Sequence, residues 1–172
     1  MTFSDPATQE FLSRNFVCAK VNLVPGLLLG NASHHSEELL AQFPEGGGGG
    51  NVRSVFCTPD GRIISEVKGF WRPERYLDEA ERTRSVASAS REEVVAFHEK
   101  HVLLHTLERQ VEEADRAKLT EPEPKPSPSA RRIAALNRMR RSHEESIELI
   151  HVPVETYLDR IADEVWTKGN VG

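Results

Sequence analysis

Val55-Phe56-Cys57-Thr58-Pro59-Asp60-Gly61-Arg62-Ile63-Ile64-Ser65-Glu66-Val67 is the stretch that decides how this chain is read. Two apolar, β-branched runs flank a Pro-Asp-Gly. Proline presets φ for a turn, aspartate bonds its own backbone, and glycine takes the positive φ that closes a hairpin. Strands are therefore predicted over residues 52–57 and 62–69, joined by Thr58-Pro59-Asp60-Gly61.

Upstream of the hairpin, Ser4-Asp5-Pro6 reads as a cap and a first-turn proline, followed by a short helix ending near Asn15. Phe16-Val17-Cys18-Ala19-Lys20-Val21-Asn22-Leu23 has the composition of a buried strand. A second helical pattern covers 36–43 and stops at Pro44. The five glycines at 46–50 make a mobile loop. They are no phosphate loop, because no Lys-Ser/Thr opens a helix behind them.

Downstream, Pro73 opens a helix that fades in the Ser/Ala-rich stretch at 85–90. Beyond it only helix is expected. Ser90 and Glu93 form a capping box for a helix running to about Lys118. A Pro-rich stretch at 121–129 is an extended linker, a second long helix covers 130–150, and Pro153 sets off a third. In that third helix Val154, Leu158, Ile161 and Val165 make one narrow apolar stripe.

With 172 residues, 38% hydrophobic and 28% charged, the chain has the composition of a folded protein. The net charge of -5 is spread along the sequence, which argues against a nucleic-acid partner. No apolar run approaches the ~20 residues of a membrane span. Met1-Thr2-Phe3-Ser4-Asp5 carries no export pattern, so the cytoplasm is the default expectation. Cys18 and Cys57 are the whole cysteine complement, too few for a disulfide framework or a zinc site. No nucleotide fingerprint or catalytic triad spacing is present, and no cofactor is expected.

The order helix, strand 16–23, helix, strand 52–57, Pro-Asp-Gly turn, strand 62–69, Pro73 helix resembles the later part of the thioredoxin family. The resemblance is carried by Phe16-Val-Cys-Ala-Lys-Val-Asn22, by Val55-Phe56-Cys57-Thr58-Pro59-Asp60-Gly61-Arg62 and by Gly69-Phe70-Trp71-Arg72-Pro73-Glu74. It covers about residues 3–83.

The resemblance implies a Cys-x-x-Cys at the start of the helix that here ends near Asn15, and this chain has none. It implies a cis-proline just before the strand at Val52, where Arg53 stands at or beside the position. Arg53 and Cys57 are thus the groove-equivalent residues. It also implies a central strand, encoded upstream of the redox motif, between strands 16–23 and 52–57. Three outcomes follow: the two strands pair directly, another chain fills the gap, or the natural product begins upstream of Met1. With a strand between them, Cys18 and Cys57 would lie about 9–10 Å apart, beyond bridging distance.

His98, His101 and His105 fall within about a 60° arc of one helix, and neutral imidazoles on one face are candidate metal ligands. The plainer reading packs them with Val94, Val95, Phe97 and Val102 against another helix. His34-His35 is a weaker pair. Arg131, Arg132, Arg138, Arg140 and Arg141 make the second long helix basic, but Glu144, Glu145 and Glu148 follow, as on a salt-bridged solvent face.

The expected fold is α/β. A partial thioredoxin-like sheet with flanking helices occupies residues 1–86, and an all-helical C-terminal extension occupies 87–172. The leading function is a thioredoxin-like interaction or accessory protein without its own active-site dithiol, partnered by a protein or a second copy. One alternative is a thiol-disulfide oxidoreductase whose Cys-x-x-Cys lies upstream. Another is an assembly protein that uses the 154–165 stripe and the His-bearing helix.

Overall fold

Thr58 to Gly61 form the turn that the sequence requires. Gly61 sits at φ 79°, its N–H donates to the Thr58 carbonyl at 2.9 Å, and Thr58 N–H donates to the Arg62 carbonyl at 2.8 Å. The flanking strands β1 (Arg53–Cys57) and β2 (Ile63–Lys68) pair antiparallel, with Val55 opposite Glu66 and Phe56 opposite Ser65. The register then slips so that Cys57 faces Ile63, which leaves Ile64 as the extra residue of a bulge.

The computed structural model describes residues 2–21, 52–69, 71–119 and 127–169. The expected helix at 36–43, the glycine loop, His34-His35 and most of the Pro-rich linker lie outside the described residues.

Among the described residues five α-helices surround the hairpin: α1 (Pro6–Asn15), α2 (Pro73–Ser85), α3 (Arg91–Ala117), α4 (Pro128–Leu149) and α5 (Val154–Gly169). Each has a start signal in the sequence. The Asp5 carboxylate accepts from Thr8 N–H at 2.8 Å and from its hydroxyl at 2.8 Å, and Pro6 opens α1. Proline likewise opens α2 and α4. Ser90 and Glu93 make the expected reciprocal box at the start of α3.

Both faces of the sheet are covered. On one, Phe56 and Val67 pack with Trp71, Tyr76, Ala80 and Met139, and α1 and the residue after it add Phe11, Leu12 and Phe16. On the other, Ile63 packs with Leu149, Tyr157 and Ile161, with Val55 and Cys57 at the margin. The bulge aims Ile64 at a third cluster with Val94 and Ile150. A strand covered on both faces loses the polar alternation of a half-exposed one, and β2 is buried from Ile63 through Val67.

The outer edge of β2 is closed by its own chain. Ile63 N–H donates to Val152, its carbonyl accepts from His151, and Glu66 N–H donates to the Ser146 hydroxyl at 3.0 Å. Ser142 donates to the Glu66 carbonyl at 2.6 Å, and the Trp71 indole to that of Lys68 at 3.0 Å. Backbone groups that would otherwise be buried without partners are thus satisfied by α4 and the residues after it.

The strand expected at 16–23 is not formed over its described part. Residues 16–21 belong to no ladder; Phe16 keeps its ring 5.5 Å from Phe56, while Val17 is 104% and Val21 56% exposed. The β-branched composition supplied propensity but no partner strand, and a strand exists only as part of a ladder. The described sheet accordingly has two strands, β1 and β2. The apolar clusters draw on both segments, residues 1–86 and the helical extension 87–172: Met139 sits with Phe56, Leu149 with Ile63, and Val94 with Ile64.

Candidate functional site

The buried polar residues gather in two places, one on each side of β2. On the α5 side, register puts Arg53 and Glu66 on the face that α5 covers. Arg53 Nη1 donates to the Tyr157 hydroxyl at 2.8 Å and lies 3.3 Å from Glu66 Oε1, while the Tyr157 hydroxyl donates to that same oxygen. Glu66 is 1% exposed, and its Oε2 lies 3.3 Å from Lys68 Nζ, an ion pair without hydrogen-bond geometry. Lys68 also meets Glu145 at 2.7 Å. Burial and the Glu66 carboxylate push the Tyr157 hydroxyl well above its ordinary range, so it stays a donor.

A pocket of about 180 Å³ opens beside this network, with Lys68, Glu145, Glu148 and Arg160 among its walls. It is smaller than the ~300 Å³ at which ordinary ligand sites begin. Arg53, expected at the groove, has its guanidinium on Tyr157 and Glu66. Cys57 sits apart from it at the edge of the Ile63 cluster, its thiol pushed up by burial and by Glu155. A thiol held protonated is a poor nucleophile. Cys18 is exposed, and both cysteines are free.

On the other side of β2, four imidazoles meet between α3 and α4. His98, His101 and His105 share one face of α3, as their spacing requires, and all three gather around His143 of α4. The ring centroids of His101 and His143 are 4.9 Å apart and stacked, those of His105 and His143 5.5 Å, and those of His98 and His143 5.1 Å. His98 and His143 are 0% and 2% exposed.

Hydrogen-bond polarity fixes several protons. His98 Nε2 lies 2.9 Å from the Ile64 carbonyl, which only accepts, so that nitrogen carries a hydrogen. Its Nδ1 lies 2.8 Å from His143 Nδ1, and one hydrogen sits between them. His101 Nδ1 donates to the Phe97 carbonyl at 2.7 Å, and His105 Nδ1 to Glu108 at 3.0 Å. The buried His105 Nε2 has no hydrogen-bond partner.

Glu79 of α2, 5% exposed, brings Oε2 to 3.6 Å from His143 Nε2 and accepts from the Ser65 hydroxyl. Burial raises its carboxyl to about 7, against the opposing pull of Arg82. Burial also lowers His98 to about 4, and burial and the neighbouring imidazoles lower His143 to about 2. A pocket of about 60 Å³ adjoins Glu79 and His105, with Arg75, Arg82 and Met139 around it; this is room for a water or two.

The candidate ligands His98, His101 and His105 are thus brought together, but His98 spends both nitrogens on the protein. Among the described residues no group of three or more His, Cys, Asp or Glu side chains is placed to hold a metal ion. Of the α4 arginines, Arg140 pairs with Glu144 as expected, while Arg132 reaches Glu112 of α3 at 3.1 Å. No described helix is long and apolar enough to cross a membrane.

His143 and Glu79 are the members that sequence reasoning missed. The signal was present: His143 falls on the seam of Ala135, Leu136, Met139, Ser146 and Leu149, and Glu79 lies beside Tyr76, Ala80 and Thr83 on that of α2. A polar residue on an apolar seam announces a buried partner. Compared with protein-family models, curated proteins and solved structures, the chain matches none.

Proposed function

We propose that this chain acts as a thioredoxin-like interaction or accessory protein that has no active-site dithiol of its own. The observation that carries the reading is the asymmetry of the hairpin. Helices back both faces and the outer edge of β2 is taken up by its own chain, but among the described residues no strand lies beside β1. In the register, Val55 stands in a non-hydrogen-bonded pair, so its backbone groups point away from β2. That is the edge on which the thioredoxin family carries its central strand. An added strand, from a partner or from further sequence, completes the sheet by β-augmentation.

The cysteines agree with this reading: one is exposed and alone, the other half-buried with its thiol pushed up. The test joins intact mass of the product from its native source with a thiol-disulfide exchange assay on this chain. Exchange no faster than that of an ordinary surface thiol, abolished by Cys18→Ser, is expected. Catalytic turnover, or a native product carrying an upstream Cys-x-x-Cys, would replace the proposal with an oxidoreductase.

A further inference from the structure

The Glu79, His143 and His98 side chains link three helices and β2, and their geometry restricts where protons can be. His98 Nε2 must donate to Ile64, so in neutral His98 the Nδ1 is a lone pair and His143 Nδ1 supplies the hydrogen between the rings. The Nε2 of a neutral His143 is then a lone pair 3.6 Å from a buried carboxyl oxygen. Two lone pairs facing each other in a buried site repel, and a proton on either side relieves this.

The proton has three homes of equal total charge. It stays on Glu79 with both imidazoles neutral, or it passes to His143 Nε2 and leaves an imidazolium beside a carboxylate. In the third arrangement His143 also hands its Nδ1 hydrogen to His98 Nδ1, so that His98 becomes the cation. Every bond to Ile64 and between the rings is kept in all three.

We infer that Glu79, His143 and His98 hold one proton among them in the folded protein and act as an acid-opened latch fastening the α3–α4 pair to β2 and α2. In the unfolded chain below neutral pH the two imidazoles carry two protons and the carboxyl none. Opening the latch therefore takes up one proton, and acid favours opening.

A second proton is resisted from every side of the cluster. Arg82 faces it from α2, where Asp78 acts on Glu79, and from β2 the Ser65 hydroxyl bonds Glu79. From α3, His101 and His105 stack on His143, with Lys100 acting on His101 and Glu108 bonded to His105. Ile64 offers β2's carbonyl. An added charge on His143 thus meets Arg82, His101 and His105, and one on His98 meets His101, while Glu108 is already committed to His105.

The test compares urea unfolding of the wild type and Glu79→Gln between pH 5 and 6.5. Glutamine keeps the shape and donates an N–H toward His143, but it brings no proton to share. The variant then takes up one more proton on opening, and its unfolding constant should gain an extra factor of about ten per pH unit. Parallel slopes for the two proteins would overturn the proposal. If the variant does not fold, NMR of the wild type decides instead, through the Glu79 carboxyl ¹³C and imidazole ¹⁵N shifts. One proton retained across the three groups from pH 5 to 6.5 supports the latch. An ionised Glu79 beside two neutral imidazoles refutes it.

Discussion

His98 has no exposed surface and both ring nitrogens engaged, so its energetics belong to the folded interior. The pH dependence follows from the directions of its shift and those of its neighbours. Imidazoles ordinarily titrate near 6.5, and His98 and His143 are depressed to about 4 and about 2. Their contribution is intact above about 6.5 and is lost as pH falls through the folded values. Glu79, raised from 4.5 to about 7, works in the opposite sense: its contribution is complete below 4.5 and lost as pH rises through 7. Two imidazoles against one carboxyl leave stability rising with pH from about 5 to 6.5, most steeply near pH 5, by on the order of 1.4 kcal/mol per pH unit there. Unfolding free energy at pH 5 is expected to fall about 1.5 kcal/mol below that at pH 6.5. His101 and His105, also lowered, steepen the change. Denaturant titrations at the two pH values check this, and a flat profile would contradict it.

At the scale of elements, the turn and the last helix carry the sharpest expectations. Gly61 has φ 79°, and a Cβ added there would meet Val154 at an ordinary 3.7 Å. Space is available, so Gly61→Ala costs only the left-handed backbone conformation, about 1 kcal/mol, with the register retained. Thermal unfolding with amide NMR would show a lower midpoint and an unchanged ladder. In α5, Val154 and Ile161 of the expected stripe pack inside the chain: Ile161 is 6% exposed against Ile63, Leu149 and Tyr157. Ile161→Asp buries an unpaired charge and is expected to cost 3 kcal/mol or roughly more. Its signature is a loss of stability at every protein concentration, whereas a surface-stripe residue would change only the association state.

For the whole molecule, the apolar clusters and the β2 edge join the two halves of the sequence. A chain ending at Val86 loses Met139, Leu149 and Val94 from the clusters, and with them the His98, Ser142 and Ser146 groups that satisfy β2. Such a fragment is expected to show no cooperative urea transition, while residues 1–172 show one; circular dichroism distinguishes them. The exposed face of α3 is different. Leu103, Leu107 and Val111 are 59%, 50% and 61% exposed, so polar substitutions there are expected to leave stability within about 0.5 kcal/mol.

Local chemistry was legible in the sequence. The Pro-Asp-Gly turn, the Asp5 and Ser90 caps, the proline opening α2, and the shared face of His98, His101 and His105 follow from backbone restrictions and helical period, which act within a few residues. Tertiary structure decided what depends on groups distant in the chain. Residues 16–21 lack a ladder despite strand composition, because pairing requires a neighbour that no local run supplies. His143 joins His98 across 45 positions and Glu66 meets Tyr157 across 91, because burial leaves each polar atom dependent on whatever donor or acceptor the fold brings to it.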